Sequence, residues 1–415
     1  MATLMRDLKD MEAAAQIQGF RLIGHSDLNG YGDAMQVVKR GNYAYVAHVG
    51  VSPLRLSILD VSDPADPKVV KQFEHLPNTH NHKVQIVGNT LIQNSEKSHW
   101  GEVTDYPPAV TGLNVYNLDD PTDPREVAFY PVPGTGVHRI WFEEMPYAHM
   151  AACLPDVRDR AYQIVDLSDQ KNPKMAGCWW VPGGRDNDPD PWFDAAEAVA
   201  VNSTGRRMAV MGVHGAIPHG NRAYVSCLDS GFALLDISDV SRPKVLGRTN
   251  WHPPYGGFLH TSLPLPNRKL AICACEALRP GMADQEGDKR VWVVDVRNEA
   301  QPVIISSFPW PRPPASAPYA RYWDLPGNCG PHNIHENRPN SFQSENLIFV
   351  TWNNAGLRVY DISDPFRPED VAHFVPAVEP NATANDLFIE PNGLVYLTDR
   401  HKGGFFILEY TGKLR

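Results

Sequence analysis

The chain lacks an excess of positive charge, a long apolar run and any density of cysteine. Its 38 Lys and Arg stand against 48 Asp and Glu, giving a formal net charge of −10, and no Lys/Arg-rich block occurs. Nucleic acid is therefore not an expected partner, because tracking phosphates needs clustered cations. No run approaches the ~18 apolar residues of a membrane-spanning helix, so no membrane span is expected. Residues 1–18, MATLMRDLKDMEAAAQIQ, carry charge where a signal peptide needs an apolar centre. They read as a tail or short helix, and the expected location is cytoplasmic. Six cysteines among 415 residues are too sparse for a disulfide framework, and Cys273 with Cys275 reads as two small buried thiols on one strand face. Gly-x-Ser-x-Gly, a Walker loop, a strand-linked GxGxxG and HExxH are all missing, which argues against serine-hydrolase, nucleotide-dependent and zincin chemistry.

What the chain has instead is a repeat. Residues 357–368, LRVYDISDPFRP, combine an alternating strand, an aspartate, a Ser-Asp-Pro turn and a second proline that opens the next strand. Variants start at Leu56, Leu113, Ala161, Phe232, Val291 and Gly404. Anchored on Asp60, Asn117, Asp166, Asp236, Asp295, Asp361 and Glu409, the copies lie 57, 49, 70, 59, 66 and 48 residues apart. Each interval holds about four strands of ~5–6 residues with their connections. The expected fold is all-β, a seven-bladed propeller spanning residues 19–415 as one domain.

One strand is out of place. Residues 19–25, GFRLIGH, resemble the outer strands at Lys68 and Lys244 yet precede the first blade, while the last blade ends after its third strand. The N-terminal strand is thus expected to close the last blade. Two insertions, at about 182–211 and 309–330, are rich in Pro and aromatic residues and are expected to act as lids on one face of the disc. On DVSDP, DISD and DISDP with their following prolines, the chain resembles the LVIVD-repeat β-propeller proteins. That resemblance implies fold and no single activity.

Histidines recur at one place in the blade. Seven residues back from Asn42, Asn89, Asn221, Asn267 and Gly393 stand Met35, His82, His214, His260 and Asp386. The third and sixth blades open their inner strands with His138 and His332. Inner strands surround the axis, so His82, His138, His214, His260 and His332 are expected to converge there as metal ligands, because neutral imidazole suits Fe, Zn, Cu or Ni. His214 is expected to stand back, since Pro218 interrupts its strand. Asp386, at the ring position of the last blade, and Glu336 are the candidate catalytic acids or bases. Glu276 and Asp33 are weighed equally as channel-mouth acids and as ordinary turn carboxylates. The remaining histidines, His80 among them, read as surface or satisfied core residues.

The expected cofactor is a mononuclear transition metal, Fe(II) favoured over Zn or Mn, acting on a small-molecule substrate. A nitrogen-rich site is unlike oxygen-rich calcium sites. By analogy it is closer to the four-histidine iron of the carotenoid-cleaving oxygenases, which are also seven-bladed propellers. The expectation is a metal-dependent oxidoreductase that oxidises or cleaves a small apolar or aromatic substrate. A Zn- or Mn-dependent hydrolase or lyase is the rival enzyme. A non-catalytic interaction scaffold is the alternative from another class.

Overall fold

In six of the seven repeats the aspartate or asparagine that marks the motif makes the turn itself. A side-chain oxygen of Asp60, Asn117, Asp166, Asp236, Asp295 and Asp361 accepts the backbone N–H two residues on, at 2.8–2.9 Å. This Asx turn ends the third strand and leaves the following prolines to start the fourth. Glu409 is the exception. No turn follows it, and its carboxylate pairs with Arg21 of the N-terminal strand.

The computed structural model describes residues 7–98, 108–193, 210–277, 288–338 and 340–414. Their strands form seven antiparallel sheets arranged as the blades of a propeller. Blade one is Ala34–Arg40, Tyr43–His48, Leu54–Asp60 and Lys68–Glu74, from axis to rim. Blades three, four and five repeat that order, with inner strands Val137–Trp141, Gly215–His219 and Leu259–Leu265. Blade two has its inner strand split into Thr79–His80 and Val84–Val87. In blade six the innermost segment pairs only loosely with Leu347–Trp352, through His332 N to Thr351 O at 2.8 Å, His335 N to Phe349 O at 2.9 Å and a bridge at Ile334.

The N-terminal strand closes the last blade. Phe20–Ser26 pairs with Gly404–Tyr410 as the outer strand of blade seven, whose inner strand is Ala384–Ile389. The segment before it, read from sequence as a tail or short helix, is a helix, Leu8–Ala14, followed by the strand Gln16–Gln18. That strand adds itself to the rim of blade six beside Glu369–Val375. Leu8 and Met11 pack on the core between blades six and seven.

Many strands are buried along nearly their whole length because both faces of a blade meet a neighbour. The buried core accordingly divides into seven clusters, one in each seam between adjacent blades. Cys273 and Cys275 belong to the seam between blades four and five, and burial pushes both thiols up.

Of the two insertions, 194–209 lies outside the described residues. The described ends of the first, 182–193 and 210–211, and the second insertion lie between the outer strand of one blade and the inner strand of the next, so topology puts them on the face where inner strands begin. The second packs down there. Trp310 contacts Trp352 and Trp323, Tyr322 O accepts from Asn354 Nδ2 at 2.8 Å, and Asn328 Nδ2 donates to Ala277 O at 2.9 Å.

Candidate metal centre

In blades three and five a β-bulge at the start of the inner strand presents the ring residue. In blade three the register skips from Val137 to Arg139, and in blade five from Leu259 to Thr261, leaving His138 and His260 unpaired. A bulge turns one side chain out of the ladder and re-aims it, here toward the axis. The five histidines become adjacent along an arc. Ring centres are 5.0 Å apart for His82 and His138, 4.7 Å for His138 and His214, 4.1 Å for His214 and His260, and 4.2 Å for His260 and His332.

In blade seven the skip falls between Ala384 and Asp386, so Asn385, and not Asp386, is the ring residue. The sequence count lands one residue late because the turn there spans Pro391 to Gly393, closed by Glu390 N to Leu394 O at 2.8 Å, and is one residue longer than Gly41-Asn42. A one-residue slip moves a side chain to another layer. Asp386 lies in the layer beneath, where its carboxylate accepts from Leu387 N at 2.7 Å and Asn333 Nδ2 at 3.0 Å and faces Lys83 Nζ at 3.5 Å. Burial raises its carboxyl to about 6, against the pull of Lys83. Glu336 is also there, paired with Arg338 and 3.7 Å from Arg139 Nη2.

This lower layer fills the axis. Arg139 crosses from blade three to reach Thr261 Oγ1 at 2.9 Å and His260 Nδ1 at 3.0 Å in blade five. It passes blade four over Gly215, where a Cβ would sit 2.6 Å from its Cδ. Lys83, Arg139, Asn333 and Asp386 are all buried. Beyond them, at the hairpin ends of the opposite face, a cavity of about 490 Å³ is bordered by Val38, Ile86, Phe142 and Arg338.

Above the imidazoles lies a third layer, from the ends of the second strands. Glu96, Glu276, Asn353 and Arg400 occupy matching places in blades two, five, six and seven. Glu96 Oε2 is 2.8 Å from His138 Nδ1 and 3.0 Å from His80 Nε2. Glu276 Oε1 is 3.4 Å from His332 Nε2, and its Oε2 is 3.9 Å from His260 Nε2. His80, read from sequence as off the ring, therefore stands beside it, with its ring centre 4.5 Å from that of His82. Sequence reasoning missed Glu96. Counting seven forward from Asn89, as the histidines were counted back, reaches it. Asp33 accepts from Ser52 N at 3.0 Å and contacts His48 Nδ1 at 2.7 Å, so it serves the structure of blade one.

Hydrogen bonds sort the nitrogens. His214 Nδ1 donates to His260 O at 3.0 Å, and His332 Nδ1 donates to Asn385 O at 2.7 Å. His138 Nδ1 donates to Glu96. In a neutral imidazole so held, Nε2 keeps its lone pair and can ligate. His138 Nε2 and His214 Nε2 then face each other at 3.0 Å, two lone pairs that a shared proton or a metal ion would reconcile. His82 differs. Asn94 Oδ1 accepts Lys83 N at 2.8 Å and its Nδ2 donates to Val137 O at 2.8 Å, which orients the amide so that Nδ2 also donates to His82 Nδ1 at 3.1 Å. The proton of a neutral His82 is thus on Nε2, and so is that of a neutral His260, whose Nδ1 accepts from Arg139 Nη1 at 3.0 Å.

Two groups bring two imidazoles and a carboxylate within 4.8 Å of one another, His214–His260–Glu276 and His80–His82–Glu96. Burial lowers the ring imidazoles, to about 4 for His138 and well below the ordinary value for His82, His214 and His260, so all are neutral at pH 7. Burial works to raise the Glu276 carboxyl, but the facing His332 and Arg400 outweigh it and hold it at about 2. Neutral imidazoles and an ionised carboxylate are the protonation states a metal ion requires.

The family model for the LVIVD repeat matches residues 31–74, 219–250 and 343–372. No curated protein sequence matches the chain. Among solved structures it is similar to a functionally unknown protein from Desulfotomaculum acetoxidans DSM 771, at 13% identity over 87% of this chain and 90% of that one, with TM-score 0.52. The N-terminal domain of Nup159 is similar at 10% identity, 94% and 95% coverage and TM-score 0.53. The β-propeller domain of Cps50 (Swd1) from Myceliophteria thermophila gives 10% identity, 91% and 96% coverage and TM-score 0.52. At such identities the likeness is of fold alone. The chain is a seven-bladed β-propeller that carries LVIVD repeats.

Proposed function

We propose that this propeller is a metal-dependent enzyme holding one transition-metal ion among His138, His214, His332 and Glu276. The observation that carries this reading is the approach of His138 Nε2 and His214 Nε2 to 3.0 Å while both Nδ1 atoms donate elsewhere. Two nitrogens each about 2.1 Å from one ion are about 3.0 Å apart when they subtend ~90°. His82 and His260, whose Nε2 atoms carry the proton, are neighbours of the ion in this reading and His214 is a ligand, the reverse of what Pro218 suggested.

Imidazoles joined by a single carboxylate, with positions left for substrate, favour non-haem Fe(II) and dioxygen chemistry. Iron supplies the activation of dioxygen. The chain supplies a buried ligand set, neutral imidazoles fixed from behind, and a filled axis below that leaves one approach. The matching reaction is oxidative cleavage of a carbon–carbon double bond in a small apolar or aromatic substrate. Both atoms of dioxygen enter the two carbonyl products, so no further reductant is consumed.

Elemental analysis of protein purified without chelator or nickel affinity resin tests the metal. About one iron per chain is expected, lost in His214→Ala and kept in His82→Ala. Oxygen uptake with styrene-like substrates then tests the reaction. Bound zinc or manganese with no oxygen uptake would move the reading to hydrolysis, and a chain without metal would leave a scaffold.

A further inference from the structure

Three buried polar side chains of blades six and seven leave their hydrogen-bonding atoms unused. Arg400 is 6% exposed, yet its side chain makes no hydrogen bond among the described residues, and its one pairing is Nη1 to Glu276 Oε1 at 3.6 Å. Asn353 and Asn385 are each 0% exposed, and in both neither the amide oxygen nor the amide nitrogen has a partner. Leaving such a group unsatisfied is destabilising, so clustered exceptions call for an explanation.

The three are neighbours around the mouth of the imidazole ring. Arg400 follows the second strand of blade seven, and its backbone N donates to Thr383 O at 3.1 Å, two residues before Asn385. Asn353 opens a 3-10 turn, Asn353–Ala355, that packs on the strand carrying Asn385. Asn385 is the ring residue beside His332, whose Nδ1 it receives on its carbonyl. A guanidinium, two amides and an adjacent metal site thus surround one place.

We propose that Arg400, with Asn353 and Asn385, anchors the carboxylate of the substrate, which is a small organic acid whose reactive part extends over the imidazoles. Guanidinium presents two parallel N–H groups that match a carboxylate, and a buried pair of this kind fixes orientation as well as charge. Glu276 does not fill the role. Its approach to Arg400 is longer than a hydrogen bond, and it is a ligand in the metal reading on which the substrate's orientation rests. A neutral substrate would leave the buried guanidinium with only the distant charge of Glu276 and no hydrogen-bond acceptor among the described residues.

Calorimetric titration of the full chain with benzoate, and with benzyl alcohol as the uncharged control, tests the anchor at constant ionic strength. Metal content is measured on the same samples. Benzoate is expected to bind and benzyl alcohol not to, with Arg400→Gln weakening benzoate at least about tenfold, Arg400→Lys less, and metal content unchanged in both. Equal benzoate affinity in wild type and Arg400→Gln would overturn the proposal, as would benzoate binding no better than the alcohol. If Arg400→Gln does not fold, Arg400→Lys and Asn353→Ala decide, with weaker benzoate binding expected in each and unchanged binding in both overturning it. A metal-free protein that still loses benzoate on Arg400→Gln keeps the anchor and removes the metal reading; metal-loaded protein indifferent to benzoate does the opposite.

Discussion

At the scale of single residues the imidazoles differ only in which nitrogen is held, and that difference decides what each can do. Asn94 donates to His82, whereas carbonyls or Glu96 accept from His214, His332 and His138. Burial also makes these groups a liability in acid. His138, His149 and His335 are each lowered to about 4 by burial, so between that value and the unfolded 6.5 the unfolded chain binds more protons than the folded one. Stability therefore falls as pH drops through this window, by up to about 1.4 kcal/mol per unit for each group. Asp386, raised to about 6 by burial, works the other way, but it is one group against several. The melting temperature of the metal-free protein is expected to be lower at pH 5 than at pH 7, and a flat or rising profile would contradict this account.

At the scale of elements the N-terminus holds the ring shut at two seams. Phe20–Ser26 completes blade seven and buries Phe20 and Leu22, worth about 1.5–3 kcal/mol each, while Gln16–Gln18 extends blade six. Gln16 is further fixed by Tyr319 and Tyr322 of the second insertion, at 2.6 Å each. Removing residues 1–19 strips the blade-six strand but keeps the closing strand, whereas removing 1–26 exposes the edge of blade seven as well. Thermal melts are expected to rank wild type above the shorter deletion and the shorter deletion above the longer. Equal melting temperatures for the two deletions would show that Phe20–Ser26 does not close the fold.

The whole molecule stacks three layers on one axis: acids and Arg400 at the mouth, imidazoles below them, and a salt-bridged floor of Lys83, Arg139, Glu336 and Asp386. The floor separates the ring from the opposite face, so ligands reach it from the face carrying the insertions. Because the ring gathers residues from five blades, an ion bound there ties together strands distant in the chain. At a thousandfold excess over Kd, binding contributes about 4 kcal/mol of stability. With an unfolding entropy of roughly 2.1 cal/mol/K per residue, that shifts the melting temperature of 415 residues by roughly 5 °C. Adding Fe(II) anaerobically is expected to produce such a shift in wild type and none in His214→Ala, measured by scanning calorimetry.

The sequence by itself determined the blade count, the closing strand and the histidine position, because each rests on local chemistry that repeats. An Asx turn, a proline that cannot donate and a fixed strand length recur wherever the motif does. It did not determine which acids meet the imidazoles. Asp386 was misplaced by one residue because a turn longer by one residue shifts a bulge, and a bulge is settled by pairing across strands. Glu96, His80 and Arg400 reach the ring from other strands or other blades, at separations that no local pattern encodes. Which nitrogen of each imidazole faces the axis was decided only where Asn94, Glu96 and the carbonyls of His260 and Asn385 came to rest against it, since a tautomer is fixed by its partners and those are brought together by closure of the ring.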